Sequence, residues 1–424
     1  MKFTTLQEAI YHVKSGERVF IHTGAMTPEP LVEELAQQYQ RLKNVEVTGI
    51  LPTGVASFAK EPYNESFFIN TFFVSSNIRH AVNQRYGSYT PTFLSEIPTL
   101  FRKQIVPIDV ALIQVSPPDS HGYCSLGVSI DISLAAVESA KKIIALVNPK
   151  VPRSHGDGII HTSKITAAVA HDAPIVQLES AAPTAIETKI GENIASLIDD
   201  GATLQMGIGA VPEVVLSNLK NHRRLGIHTE LFSDGVLPLI ESGAITGEMK
   251  KIKPGKILTC FALGSQKLYD FIDDNPLIDF KESSFTNDTS IIRQNPNVIA
   301  INSAIEIDLT GQVCADTIGS YQYSGVGGQM DFVRGASLSE NGKPIFGISS
   351  RTTKGKSKLV PQLALGASVT TTRAHVHYIA TEYGVVNLFG KNIRERAKLL
   401  ISIAHPDDRE MLSKQAYELL NIPI

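Results

Sequence analysis

The sequence predicts an α/β protein built on largely parallel sheets and divided into two similar open domains. Three observations predict it. Apolar strand-like runs recur along the whole chain, helix-period segments lie between several of them, and a stretch near the start reappears just past the middle. The strand-like runs are, in order, "RVFIHTG", "VEVTGIL", "VALIQVS", "KKIIALV", "PIVQLE", "ATLQMGIG", "KILTCFALG", "NVIAIN" and "HYIATEYGVV". Helical periodicity marks "PEPLVEELAQQYQRL" and "SIDISLAAVESAKK". Alternation of this kind is what βαβ units require.

The repeat supports two halves. "GERVFIHTGAMTPEPLVEEL" opens at Gly16 and "GATLQMGIGAVPEVVLSNL" at Gly201. In each, a Gly precedes the strand, a Gly-Ala pair follows (Gly24-Ala25; Gly209-Ala210), and a Pro-Glu pair starts a helix (Pro28-Glu29; Pro212-Glu213). The polar segment "IETKIGENIASLIDDG" is the expected crossing point, giving domains 1–187 and 188–424.

Composition narrows the function. A net charge of −3 with mixed signs offers no basic stripe for nucleic acid. No apolar run approaches the ~20 residues that span a bilayer, and the polar N-terminus is unlike a signal peptide. Cys124, Cys260 and Cys314 are odd in number and far apart, which suits a reducing compartment and no zinc site. A cytoplasmic protein is expected, without metal or membrane.

Several stretches invite chemistry. In "QMGIGAVPE" a strand ending in Gly-x-Gly runs into a helix start, exposing backbone N–H groups that attract an anion or a developing oxyanion; the alternative is a tight turn with no ligand. A third glycine and a ribose-binding acid are lacking, which argues against a nicotinamide cofactor. "SGVGGQMDF" holds Gly325, Gly327 and Gly328 in four residues, so a ligand can approach the backbone closely, or the loop is simply mobile. The run "RTTKGKSK" contains Gly-Lys-Ser, yet the first Gly of a P-loop is missing and "LVP" stands where a helix should begin. His375 and His377 share a strand face by spacing, with no third ligand suitably placed. Glu230, in "LGIHTELFSDG", is a carboxylate where an apolar strand meets a loop.

Taken in order, "VSPPDSHGYCSLG", "QMGIGAVPE", "GIHTELFSDG", "INSAIEIDLTGQV", "SGVGGQMDF" and "TEYGVVNLFGKNIRERAKLLISIAHPDDRE" resemble the acetyl-CoA hydrolase/transferase family of class I CoA-transferases, near the 4-hydroxybutyrate and butyrate:acetate enzymes. The resemblance implies the class I CoA-transferase fold, with two like domains and the active site between them. It implies Glu230 as nucleophile in a ping-pong reaction through a glutamyl-CoA thioester. It further implies that Gln205, Met206, Gly207, Ile208, Gly209, Ser324, Gly325 and Gly328 form the oxyanion and pantetheine site, and less directly that Lys354 contacts CoA. No permanently bound cofactor is expected; acyl-CoA and a short carboxylate are the substrates, and a homodimer is the expected assembly. An acyl-CoA hydrolase on the same site is the alternative activity, and a non-catalytic acyl-CoA binder the alternative class. The first half's counterpart of "IHTE" is read as "EVTG", placing Gly49 opposite Glu230.

Overall fold

The computed structural model describes residues 2–178 and 181–423. The chain forms two compact units. The first comprises Met1–Glu179, Leu258–Thr286 and Gln322–Gly327; the second comprises Ser180–Ile257, Asn287–Tyr321 and Gly328–Ile424. The division at 187/188 lies inside the helix Ala185–Ala195.

In the first unit seven strands form one sheet: β1 (Arg18–Ile21), β2 (Val45–Ile50), β3 (Phe67–Phe73), β4 (Gly87–Tyr89), β5 (Val110–Val115), β6 (Lys142–Val147) and β7 (Ala167–Ala170), ordered β4-β3-β2-β1-β5-β6-β7. Every pairing in it is parallel. β5 is buried at all six positions, so "VALIQV" can be almost wholly apolar rather than alternating. Helix α1 (Glu29–Gln37) buries Leu31, Val32, Leu35 and Ala36 along one stripe, against a core that includes Val19, Ile21, Val45 and Val47. Pro30 sits in its first turn, where a missing N–H costs nothing.

In the second unit six strands form the sheet: β8 (Thr203–Gln205), β9 (Gly226–Ile227), β10 (Val298–Ser303), β11 (Lys343–Gly347), β12 (Tyr378–Thr381) and β13 (Gly384–Asn387), ordered β9-β8-β10-β11-β12-β13. All pairings are parallel except β12 with β13. Helix α2 (Ala210–Asn218) follows β8 after Gly209, whose φ of +112° suits glycine. Helix α3 (Gln329–Leu338) lays Phe332 and Ala336 on Val298 and Ala300 of β10. The C-terminal helices α4 (Ile393–Ser402) and α5 (Pro406–Leu420) complete the second core with Ala397, Leu400, Leu412 and Ala416.

The two sheets share an order. β2-β1-β5-β6-β7 in one matches β9-β8-β10-β11-β12 in the other, a doubly wound arrangement. Register refines the repeat. Aligning Gly16 with Gly201 sets Val19 against Leu204; Val19 pairs with Val47 and Leu204 with Ile227. Counting on three residues brings Ile50, not Gly49, to the rung of Glu230. By this count the expected match is one residue out, at a point where the register of β2 on β3 shifts between Gly49 and Ile50. Gly49 answers to another constraint: a Cβ there would lie 2.9 Å from the Ile21 carbonyl oxygen.

Three expected strands differ. Residues 174–178 of "PIVQLE" form no strand, and Glu179 lies outside the described residues. "KILTCFALG" breaks at Cys260 into two short strands. "HYIATEYGVV" is a hairpin, β12 and β13, and His375 and His377 precede it rather than lying on it.

Candidate active site

Glu230 lies just beyond β9, at the carboxyl edge of the second sheet. The approach to it is fixed by polar contacts within the second unit. The His228 N–H donates to the Leu204 carbonyl at 3.1 Å, holding the chain beside β8. The Thr229 hydroxyl is 3.1 Å from the Met206 carbonyl and accepts the Met206 N–H at 3.4 Å. The His228 ring is buried, stands edge-on to Phe332, and its Nδ1 lies 2.9 Å from Asn295 Nδ2. Side chains alternate along such a run, so His228 turns under α3 and Glu230 follows on the same side.

Glu230 is half-buried. Asn287 Nδ2 donates to Glu230 Oε2 at 3.0 Å, and lies 3.4 Å from Asp331 Oδ2. Asn287 is wholly buried and Asp331 nearly so. One amide thus spans two carboxylates, which fixes Glu230's orientation while leaving its other oxygen, Oε1, outside that contact. Gly328 closes the remaining side. A Cβ built there would fall 1.8 Å from Glu230 Oε2 and 2.2 Å from Asn287 Nδ2, so only glycine lets the backbone come this near. Gly328 also caps α3, a helix of ten residues, whose first N–H groups and positive dipole end favour negative charge at this spot.

The sequence-derived residues divide accordingly. Gly328 touches Glu230. Gln205 and Met206 are buried at the end of β8, next to the Thr229 hydroxyl in Met206's case. A Cβ at Gly207 or Gly209 would meet nothing within 4 Å, and Ile208 is 42% exposed, so this corner is open. Ser324 and Gly325 belong to the first unit, where the Ser324 carbonyl accepts from Val74 N–H and Gly325 packs on Phe73. The glycine loop is thus not a single flat platform: only its last glycine is seen against the carboxylate. Lys354 is exposed at the tip of a hairpin closed by an Arg351–Ser357 bridge. Its neighbour Arg351 is paired with Asp408 at 2.6 Å and Asp407 at 3.3 Å, so the basic run is partly neutralised.

Asn287 and Asp331 escaped the sequence reading. Asn287 stands 57 residues beyond Glu230, in "FTNDTS", where it reads as a helix-start residue. Asp331 lies within "SGVGGQMDF", but its burial has no sequence signal.

Residues 1–179 match the acetyl-CoA hydrolase/transferase N-terminal domain and residues 264–416 the C-terminal domain of the same family. The chain is 48% identical to the succinyl-CoA:acetate/propanoyl-CoA:succinate CoA transferase of Fasciola hepatica, over 98% of its own length and 87% of the relative's. It is 45% identical to the 4-hydroxybutyrate coenzyme A transferase of Clostridium kluyveri, over 98% and 97%. Among solved structures, RipA from Yersinia pestis aligns at a TM-score of 0.93 with 35% identity, covering 99% of this chain and 98% of that one. The 4-hydroxybutyrate CoA-transferase of Porphyromonas gingivalis aligns at 0.84 with 36% identity, covering 98% and 97%. With both domains matched in order and likeness running through nearly all of its length, the chain belongs to the acetyl-CoA hydrolase/transferase family of enzymes.

Proposed function

We propose that the protein is a CoA-transferase that moves coenzyme A between a short-chain acyl-CoA and a free carboxylate, with Glu230 as the nucleophile. The observation that carries this reading is the Glu230 carboxylate itself, held by the Asn287 amide and pressed against the Gly328 backbone at a helix N-terminus. Relatives named for acyl groups of this size, succinyl, propanoyl, acetyl and 4-hydroxybutyryl, support the substrate class. Acetate, butyrate and 4-hydroxybutyrate are the acids we put forward.

The steps balance without net proton transfer. A Glu230 carboxylate oxygen attacks the thioester carbonyl; the resulting tetrahedral oxyanion collapses with cleavage of the C–S bond and release of CoA thiolate, leaving an acyl-glutamyl anhydride. The thiolate attacks the glutamyl carbonyl and expels the donor acid as its carboxylate. A glutamyl-CoA thioester remains, and the acceptor acid runs the same steps in reverse, so kinetics are ping-pong. Each oxyanion needs fixed donors, and one such donor is worth about 2.7–4 kcal/mol of barrier. The backbone N–H groups at the start of α3, and the Gly207–Gly209 corner, are the ones we assign to this. Lys354 is our candidate for a CoA phosphate contact, being exposed and cationic. A cytoplasmic homodimer completes the proposal; light scattering and cell fractionation test it.

The experiment is mass spectrometry of tryptic peptides after incubation with acyl-CoA and no acceptor. The peptide holding Glu230 should gain the mass of CoA less water. Adduct on any other residue, or none at all, would falsify the assignment. Release of CoA at an equal rate with and without added acetate would instead make water the acceptor.

A further inference from the structure

The amide that touches Glu230 is itself held, and a second carboxylate holds it. Asn287 Nδ2 donates to Glu230 Oε2 at 3.0 Å and to Asp331 Oδ2 at 3.4 Å. The other end of the same amide has nothing: Asn287 Oδ1 is buried and accepts no hydrogen bond from any described residue. A buried acceptor without a donor is costly and asks for a reason. Turning the side chain over gives no relief, because Oδ1 would then face two carboxylates. The two charges decide which end of the amide points at the nucleophile.

Packing fixes both partners. Asp331 sits in the first turn of α3, where the helix end favours negative charge. Phe332 and Ala336 seat α3 on β10. Gln329 ties down its start, donating through Nε2 to the Ser303 carbonyl at 3.0 Å and accepting through Oε1 from the Thr371 hydroxyl at 3.1 Å. Asn287 stands two residues before the short helix Thr289–Ile292, and Ile292 belongs to the same apolar cluster as Phe332. A Cβ at Gly335 of α3 would fall 2.4 Å from Ile292 Cγ2, so the two helices meet closely. One core therefore sets Asn287 and Asp331 against each other, and neither can withdraw.

The proposed reaction treats the two carboxylates differently. Glu230 loses its charge in the anhydride and stays neutral in the glutamyl-CoA thioester, so its pull on the amide weakens to that of a carbonyl oxygen. Asp331 is not consumed and keeps its charge. Resting on the proposed function, we infer that Asp331 is a positioning residue, which keeps Asn287 Nδ2 turned toward the glutamyl oxygen in the intermediates where Glu230 is neutral. Each attack on the glutamyl carbonyl, by CoA thiolate or by the acceptor carboxylate, returns negative charge to that oxygen, and the donor is then already in place. No bond to Asp331 forms or breaks, and no proton leaves it.

A double-mutant cycle on the full-length protein tests this. Asp331→Asn removes the charge at constant shape and offers its own Nδ2 to Asn287 Oδ1, which favours the overturned amide. Its kcat should fall about tenfold, with KM for both substrates within about twofold of the wild type, and in a single turnover the glutamyl-CoA adduct should form more slowly by the same factor. A residue that acts through Asn287 has no effect once that amide is gone. The double variant Asn287→Ala/Asp331→Asn should therefore turn over no more slowly than Asn287→Ala alone, whereas a merely structural role would multiply the two losses. Multiplied losses, an unchanged kcat, or a loss expressed only in KM overturns the inference. Should Asp331→Asn fail to fold, Asp331→Ser, which keeps an oxygen at the helix start without the charge, carries the same cycle. If the wild type itself forms no Glu230–CoA adduct, the proposed function has failed instead.

Discussion

A carboxylate oxygen 3.0 Å from an amide nitrogen, with no room beside it for a methyl group, has little freedom to reorient. Orientation of this kind converts binding into rate, because a misplaced nucleophile must search for the carbonyl. Glu230→Ala should abolish transfer while leaving acyl-CoA binding in place. Glu230→Asp, shorter by ~1.5 Å, should lose at least a hundredfold in kcat. Steady-state rates and calorimetric titration with acyl-CoA check both, and near-normal turnover in either would remove Glu230 from the nucleophile's role. Gly328→Ala forces a Cβ into Glu230 and Asn287, so its activity should fall about as far as that of Glu230→Asp. Asn287→Asp sets a third carboxylate between those of Glu230 and Asp331. Like charges that close cannot all ionise, so the acid limb of the pH–rate profile should move to higher pH. A profile that keeps its position would show that the Asn287 amide does not govern the nucleophile.

At the scale of elements, parallel pairing is what brings the chemistry to one edge. Runs such as "VALIQV" and "NVIAIN" were legible because strands covered on both faces are nearly all apolar. β11 was not: "KPIFG" is short and carries Pro344, a residue that argues against a central strand. β3, "FFINTFF", hides behind Asn70 and Thr71, whose side chains find partners only in the folded sheet. Glu230 and Gly328 were legible through their motifs, whereas Asn287 reaches the site only by tertiary folding across 57 residues. The carboxyl end of β1 supports a different test. His22 there is fully buried, with Nδ1 accepting the Gln114 N–H and Nε2 2.8 Å from the Ser129 carbonyl. Burial pushes its pKa down from 6.5 to about 4. Between those values the unfolded chain binds the proton and the folded one does not, so stability falls as pH drops through this window. By pH 5 the loss should be about 2 kcal/mol. Urea midpoints at pH 7.5 and pH 5 measure it, and His22→Gln should flatten the dependence; parallel decline in both proteins would exclude His22 as the source.

For the whole molecule, an α/β fold was legible in the alternation of strand and helix, yet no local signal announced that the first unit is assembled from three separate stretches of chain. The middle stretch is structurally necessary. The Cys260 carbonyl accepts the N–H groups of Ile130 and Asp131, Ala262 N–H donates to Val128, and Phe280 N–H donates to His155. Leu258, Tyr269 and Phe280 are buried. A fragment ending at residue 187 should therefore lack a cooperative thermal transition in calorimetry; a sharp one would mean that the first sheet stands alone.

These long-range returns also order events during synthesis. A nascent chain that has emerged as far as β9 still lacks the segment that covers Val128–Asp131 and His155, so the earlier-made sheet must wait, partly unclosed, while strands of the later one leave the ribosome. Slow codons placed before Leu258 would lengthen that interval, and the last of the three stretches, Gln322–Gly327, arrives later still.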